Sequence, residues 1–251
     1  MPKIIENLLF AKNLLLKPED FFQNLNENKI NLIFPLGIYL IFILSNSLFL
    51  NYKPLDFPNE LAALNIAEPS FLFYFGVQFF WGTLLSVIFA GLAVFLIKFY
   101  KFKFSIALFS CVISVITGIY ILKTSDNFLI QCALLLVFTA LLVWIIKKDI
   151  NNFIFVLKAG FAVNLILVLI LPVLFFSVFL NSENLFLIFE GLAGIWLLIL
   201  FVKTIKTIST MSVLKTILIL AFSAIGTFGM FYLLVKINLL SENTFKVILS
   251  M

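Results

Sequence analysis

The sequence contains no arginine and no histidine, and only 2 cysteines, 10 glycines and 7 prolines among its 251 residues. Without histidine, neither the usual base of serine and cysteine hydrolases nor the commonest nitrogen ligand of zinc is available. Cys111 and Cys132 both lie inside apolar stretches, where cysteine behaves as a small apolar side chain. We therefore expect no disulfide framework, no metal site and no bound cofactor.

Charged residues are also scarce, at 12% of the chain, whereas apolar residues make up 63%. A water-soluble protein of this length needs more polar surface than these residues supply. The net charge of +5 by itself would suit a nucleic-acid partner. However, the lysines stand at the ends of apolar stretches, where they orient a membrane protein. We expect the lipid bilayer, and no nucleic acid, as a partner.

Seven apolar stretches are long enough to cross a bilayer, which takes about 20 helical residues. They cover residues 32–50, 71–97, 104–122, 127–146, 159–180, 185–202 and 216–235. The sequence thus predicts an all-α protein, a polytopic transmembrane helix bundle over residues 32–236. Residues 1–31 are expected to form short cytoplasmic helices, either in the membrane interface or packed under the bundle. Residues 237–251 would form a short external tail.

The lysines test the number and direction of these spans. With seven spans, thirteen lysines fall on the side of the N-terminus and four on the other side. Cytoplasmic loops carry the excess of basic residues, so we expect a cytoplasmic N-terminus and an external C-terminus. We expect a multi-pass protein of the inner cell membrane of a bacterium.

A spacing of 57 residues recurs along the chain. It separates Lys101, Lys158 and Lys215, and also the linkers SDN at 125–127 and SEN at 182–184. Tandem two-helix units of parallel orientation, as in some transporters, would produce this spacing. Chance matches in an apolar sequence of low complexity would produce it as well.

Glu190 is the only charged residue inside the seven predicted spans. An ionisable group in hydrocarbon is costly and is a functional hypothesis by default. It could carry a proton or bind a cation, or it could be protonated, hydrogen-bonded or wetted near the interface. The amides of Gln78, Gln131 and Asn164 are further polar candidates within the spans, and Asn164 and Gln131 join Glu190 in the candidate intramembrane site, although amides commonly link neighbouring helices. Pro172 should kink the fifth span, because it cannot donate a backbone hydrogen bond.

The sequence contains few of the side-chain groups that enzyme active sites use. No second acid accompanies Glu190 inside a span, which argues against an intramembrane aspartyl mechanism. No glycine-rich phosphate loop is present, so we expect no nucleotide hydrolysis by this chain. The sequence predicts a protein that is not an enzyme and has no catalytic residues.

Two stretches resemble the Yip (Ypt-interacting protein) domain family of multipass membrane proteins. The run NLLLKPEDFF at 13–22, followed by Pro35, is similar to the family's opening of apolar residues, proline, acid and paired phenylalanine. The run GIWLLIL at 194–200, followed by a lysine-containing turn, is similar to its tryptophan-containing penultimate span. Pro172 sits where the family tends to carry a proline.

The resemblance implies a family core of five spans, to which a duplicated hairpin at 104–146 would add two. It implies a non-enzymatic membrane protein that acts in membrane organisation or in binding of lipids or partners. A membrane-protein partner or a homo-oligomer would follow from such a role. The alternative is a small secondary transporter or channel that uses Glu190. The family's Tyr-Ala-x-x-Pro-like run is not evident here, and no site residue is carried over.

Reporter fusions can check the predicted topology. We expect alkaline phosphatase fused after residues 50, 125 and 183 to be active, and the same enzyme fused after residues 100, 150 and 210 to be inactive. The physical reason is that lysine-rich loops stay in the cytoplasm. Active phosphatase at 150 or 210 would contradict the seven-span arrangement.

Overall fold

The computed structural model describes residues 3–54, 57–58, 70–98 and 128–249, and all regular structure in these ranges is helical. Six of the described helices are long and apolar enough to cross a membrane. They match six of the seven predicted spans, which confirms an all-helical protein of membrane-spanning character. The predicted span 104–122 lies outside the described residues, as do Cys111, Lys101 and the linker 125–127.

The helices are numbered here along the described chain. Two short helices come first, six long helices follow, and a short helix comes last. They are α1 (Lys3–Leu16), α2 (Pro18–Asn26), α3 (Ile33–Tyr52), α4 (Phe71–Lys98), α5 (Phe128–Lys148), α6 (Ile150–Phe179), α7 (Glu183–Ile208), α8 (Val213–Lys236) and α9 (Glu242–Leu249).

The helices α6 and α7 extend well beyond their apolar stretches. Helix α6 has 30 residues and begins nine residues before the predicted start of the span at 159, and α7 has 26 and ends beyond Lys206. At 1.5 Å per residue both exceed the ~30 Å hydrocarbon core. Hydropathy marks the part of a helix that lies in lipid, whereas the backbone hydrogen bonds continue into the polar interface.

The described residues of Met1–Thr83 and Leu157–Thr210 form one compact unit, called unit 1. It contains α1, α2, α3, the first part of α4, most of α6 and the whole of α7. Helix α2 begins with Pro18 and has Glu19 and Asp20 in its first turn, which suits the positive end of the helix dipole. Its Phe21, Phe22 and Leu25 are buried, and the helix packs against α7.

Aromatic side chains build the interior of unit 1. One cluster of buried residues joins α3, α6 and α7 through Phe49, Leu171 and Phe186, together with Phe57. A second cluster joins Tyr39 and Ile43 of α3 to Phe161 of α6. Aromatic pairs of this kind add about 0.5–1.5 kcal/mol beyond the area that they bury.

The described residues of Leu84–Val156 and Met211–Met251 form unit 2. Two glycines permit close helix contacts there. A Cβ on Gly91 of α4 would stand 2.5 Å from the side chain of Leu142 on α5. A Cβ on Gly226 of α8 would stand 2.9 Å from the side chain of Leu92. Small residues at such points let helices approach each other closely in a membrane.

The packing of α2 can be tested by removing one ring. We expect Phe22→Ala to weaken the docking of α2 by about 3–5 kcal/mol, because a fully buried phenylalanine is lost. Hydrogen exchange measures the weaker docking, because the backbone amides of α2 should exchange faster in Phe22→Ala than in the wild-type protein. Leu16→Ala is the control, since Leu16 is 69% exposed. Equal exchange in the two variants would contradict the docked position of α2.

Candidate functional site

Glu190 lies on α7, two turns from the start of that helix at Glu183. Its side chain is exposed with respect to the described residues, and so are Leu187 and Gly194, one turn before and one turn after it. Its other neighbours one turn away, Phe186 and Ala193, are buried. The structure therefore places the carboxyl group at the exposed edge of the stripe through which α7 packs into unit 1. The remaining surface of α7 is also apolar and exposed, with Leu198 about a quarter-turn from Glu190 and Ile188, Leu192 and Ile195 on the far side of the helix.

Lys53 is the charged residue that acts on Glu190. It caps the C-terminal end of α3, just beyond the membrane-spanning part of that helix. Its Nζ stands 5.7 Å from the centre of the Phe186 ring, a cation–π geometry, and Phe186 is one helical turn from Glu190. Partial burial lowers the pKa of Lys53, and the negative charge of Glu190 opposes this shift by favouring the protonated amine.

The aromatic cluster of unit 1 positions this pair of charges. The rings of Phe49 and Phe186 stack with their centres 6.3 Å apart, and Phe57 meets Phe186 edge-on at 5.4 Å. Phe49 is one turn before Lys53 on α3, so the stacked rings hold Lys53 close to α7. The sequence alone does not single out Lys53 as a site residue. It shows only that Lys53 is the one lysine near the end of the first predicted span.

Pro172 lies inside α6, next to Leu171 of the same cluster. Because proline has no N–H, it cannot donate to the Val168 carbonyl one turn earlier. Helix α6 nevertheless continues to Phe179. Pro172 lies beside the aromatic cluster, because its neighbour Leu171 packs with Phe49 and Phe186 there.

Asn164, also on α6, directs its amide to its own helix. The Nδ2 donates to the carbonyl oxygen of Gly160 at 2.9 Å and to that of Phe161 at 3.3 Å. The Asn164 amide nitrogen is thereby bonded within its own helix. Gln131 belongs to α5 of unit 2 and is buried there, with 5% of its surface exposed.

Hydroxyl groups in the long helices follow the same pattern as Asn164. Each donates to the backbone carbonyl four residues earlier in its own helix, at 2.7–3.2 Å. They are Thr139, Ser177, Thr204, Thr207, Thr216, Ser223 and Thr227. Such bonds satisfy a hydroxyl group in hydrocarbon without a second helix. These donors are consequently not directed toward a shared polar path.

A second polar group of unit 1 lies in a π-helical turn, Val77–Gly82, within α4. The Tyr39 hydroxyl donates to the backbone carbonyl of Gln78 at 3.3 Å. The Tyr39 ring stacks on the Phe161 ring, with the two ring centres 4.5 Å apart. The Gln78 side chain is 2% exposed, and neither of its polar atoms has a hydrogen-bond partner among the described residues. π-Helical turns are often found at functional sites. The largely apolar sequence of Val77–Gly82 does not indicate that a π-helical turn forms there.

The described residues contain no group of three histidine, cysteine, aspartate or glutamate side chains that could hold a metal ion. Glu190 and Lys53 form the charged centre of the candidate site, and the Phe186 ring contacts the ammonium group of Lys53. Such a pair can bind a polar group or exchange a proton.

Comparison of the chain with protein-family models, with curated proteins and with solved structures finds no match in any of the three.

The influence of Glu190 on Lys53 can be measured. We expect Glu190→Gln to move the pKa of Lys53 further below its ordinary value, because the charge that favours the protonated amine among the described residues is removed and burial remains. NMR of ¹³C-dimethylated lysine reports the titration. Glu183→Gln, on the same helix, is the control and should leave Lys53 unchanged. An unchanged Lys53 titration in Glu190→Gln would show that the two groups do not interact.

Proposed function

We propose that this chain is a non-enzymatic integral membrane protein that binds a second membrane-embedded chain through the exposed face of α7. The partner to which we commit is a second copy of the same chain. This role agrees with the membrane organisation implied by the resemblance to the Yip domain family. The observation that carries the proposal is the placement of Glu190, a carboxyl group exposed on an apolar helix between Leu187 and Gly194, which are also exposed.

A carboxyl group that faces lipid is expensive, whether or not it is ionised. In the single chain, Lys53 supplies an opposite charge from one side only. A binding partner that adds a hydrogen bond at the same depth would lower the remaining cost. The position of Glu190 thus favours contact with another polar group in the membrane.

A second copy fits this face by its chemistry. A protonated carboxyl group has both a donor and an acceptor, so two copies of Glu190 can pair reciprocally across a two-fold axis. Gly191 and Gly194 lie beside it, and a Cβ added to either would meet nothing within 4 Å. Glycines with open space beside them allow two helix backbones to approach closely.

The second candidate function is a small secondary transporter or channel. The electrostatic interaction between Glu190 and Lys53 favours it, because a carboxyl group with a nearby lysine can exchange a proton or a cation. The hydrogen bonds of Asn164 and of the hydroxyl groups argue against a transporter or channel. Their donors are used within single helices, whereas a solute path needs polar groups that converge.

Cysteine cross-linking of the purified protein in liposomes tests self-association. We expect Leu187→Cys, in a background with Cys111→Ser and Cys132→Ser, to form a disulfide dimer, because Leu187 is exposed one turn from Glu190. Ala193→Cys is the matched control on the same helix and should not cross-link, since Ala193 is 3% exposed.

Substitutions of Glu190 separate the two functions. Glu190→Leu should raise the dimer dissociation constant roughly tenfold, which corresponds to the loss of ~1–2 kcal/mol of interhelical hydrogen bonding. Glu190→Gln retains a donor and an acceptor and should retain the dimer. If Leu187→Cys gives no dimer, and Glu190→Gln instead abolishes a proton or sodium flux into the same liposomes, the transporter assignment replaces the proposal.

A further inference from the structure

Lys158 is a buried lysine at the other end of unit 1. It belongs to α6, and 8% of its surface is exposed. Its Nζ donates a hydrogen bond of 3.1 Å to Oδ1 of Asn28. Asn28 lies in the turn between α2 and α3 and has a positive φ of 56°. The bond joins two residues that are 130 positions apart in the sequence.

The ammonium group of Lys158 has no carboxylate partner among the described residues. The ion pairs described there are Lys29–Glu27, Lys98–Asp149 and Lys203–Glu19. A lysine ammonium has three donors, and Oδ1 of Asn28 is a neutral acceptor that takes one of them. A buried charge is costly unless it is paired and hydrogen-bonded. Two donors and the positive charge of Lys158 therefore remain to be matched by an anion.

The depth of Lys158 in the membrane indicates which anion fits. The residue immediately precedes the apolar stretch 159–180, so it lies where hydrocarbon ends and the lipid headgroups begin. Phosphate groups of phospholipids occupy this level. Asn28, in contrast to Lys158, is exposed, so the site is open at the edge formed by the turn between α2 and α3.

We propose that Lys158 and Asn28 bind the phosphate group of an anionic phospholipid. Two Nζ protons of Lys158 and the amide Nδ2 of Asn28 donate to the phosphate oxygens. The lipid supplies the charge that the buried ammonium lacks, and its binding holds the turn between α2 and α3 against α6. The site is separate from Glu190 and does not depend on self-association through α7.

Thermal stability of the purified protein in a neutral detergent tests the site with defined probes. Phosphatidylglycerol should stabilise the wild-type protein, whereas zwitterionic phosphatidylcholine should have a much weaker effect. Inorganic phosphate at the same concentration should have little effect, since it lacks the acyl chains that hold a lipid at this depth. Equal stabilisation by inorganic phosphate would overturn the lipid as the source of the anion.

Lys158→Gln removes the charge and retains a donor for Asn28. We expect it to raise the apparent dissociation constant for phosphatidylglycerol roughly tenfold to a hundredfold, in line with the loss of a charge-assisted hydrogen bond. Lys203→Gln is the control, because Lys203 already pairs with Glu19 at 3.0 Å. An unchanged affinity in Lys158→Gln would overturn the proposal.

Asn28→Asp provides a second variant that does not empty the buried position. Aspartate tolerates positive φ, and its carboxylate would give Lys158 a counter-charge within the chain. We expect this variant to keep or raise its stability without lipid and to lose the stabilisation by phosphatidylglycerol. Full stabilisation by phosphatidylglycerol in Asn28→Asp would show that the lipid binds elsewhere.

Discussion

Hydrocarbon offers no hydrogen-bond partners, so every polar group that a chain carries into it must find a partner within the protein. Many polar groups of the described long helices meet this requirement locally, whereas the Ser47 hydroxyl and the Gln78 amide are buried without a hydrogen-bond partner among the described residues. Their backbone bonds run along each helix, and the hydroxyl groups and Asn164 donate to carbonyl oxygens of the same helix. The interior between helices is then free to be apolar, and aromatic rings and close glycine contacts fill it.

The same requirement explains where the charged residues stand. Lys203 reaches Glu19 of α2, Lys158 reaches Asn28, and Lys53 lies over the Phe186 ring next to the last turn of α3. Each of these lysines belongs to the end of an apolar stretch and contacts a residue distant in sequence. The charges that orient a chain in the membrane can thereby also connect its helices. Glu190 differs, because it lies within an apolar stretch and on an exposed face.

Binding is the activity that we propose for this arrangement. Glu190 interacts with Lys53, and Lys158 donates to the neutral Asn28; no other charged partner of either group is seen among the described residues. A partner chain and a lipid headgroup are the occupants that we propose for these two positions.

The sequence by itself determined the all-helical character, the six apolar stretches that form helices long enough to cross a membrane, and Glu190 as the charged residue within one of those stretches. These follow from the number of consecutive apolar residues, which is a local property. Only the tertiary structure decided that Lys53 acts on Glu190, that Asn164 bonds its own helix, that Lys158 is buried against Asn28, and that Gln78 lies in a π-helical turn. The contacts of Lys53 and Lys158 depend on which helix faces meet, and uniformly apolar helices carry little periodic signal to indicate which faces those are. The Asn164 bonds and the π-helical turn depend on a side-chain rotamer and on the backbone hydrogen-bond pattern of a single helix, which the apolar composition does not specify.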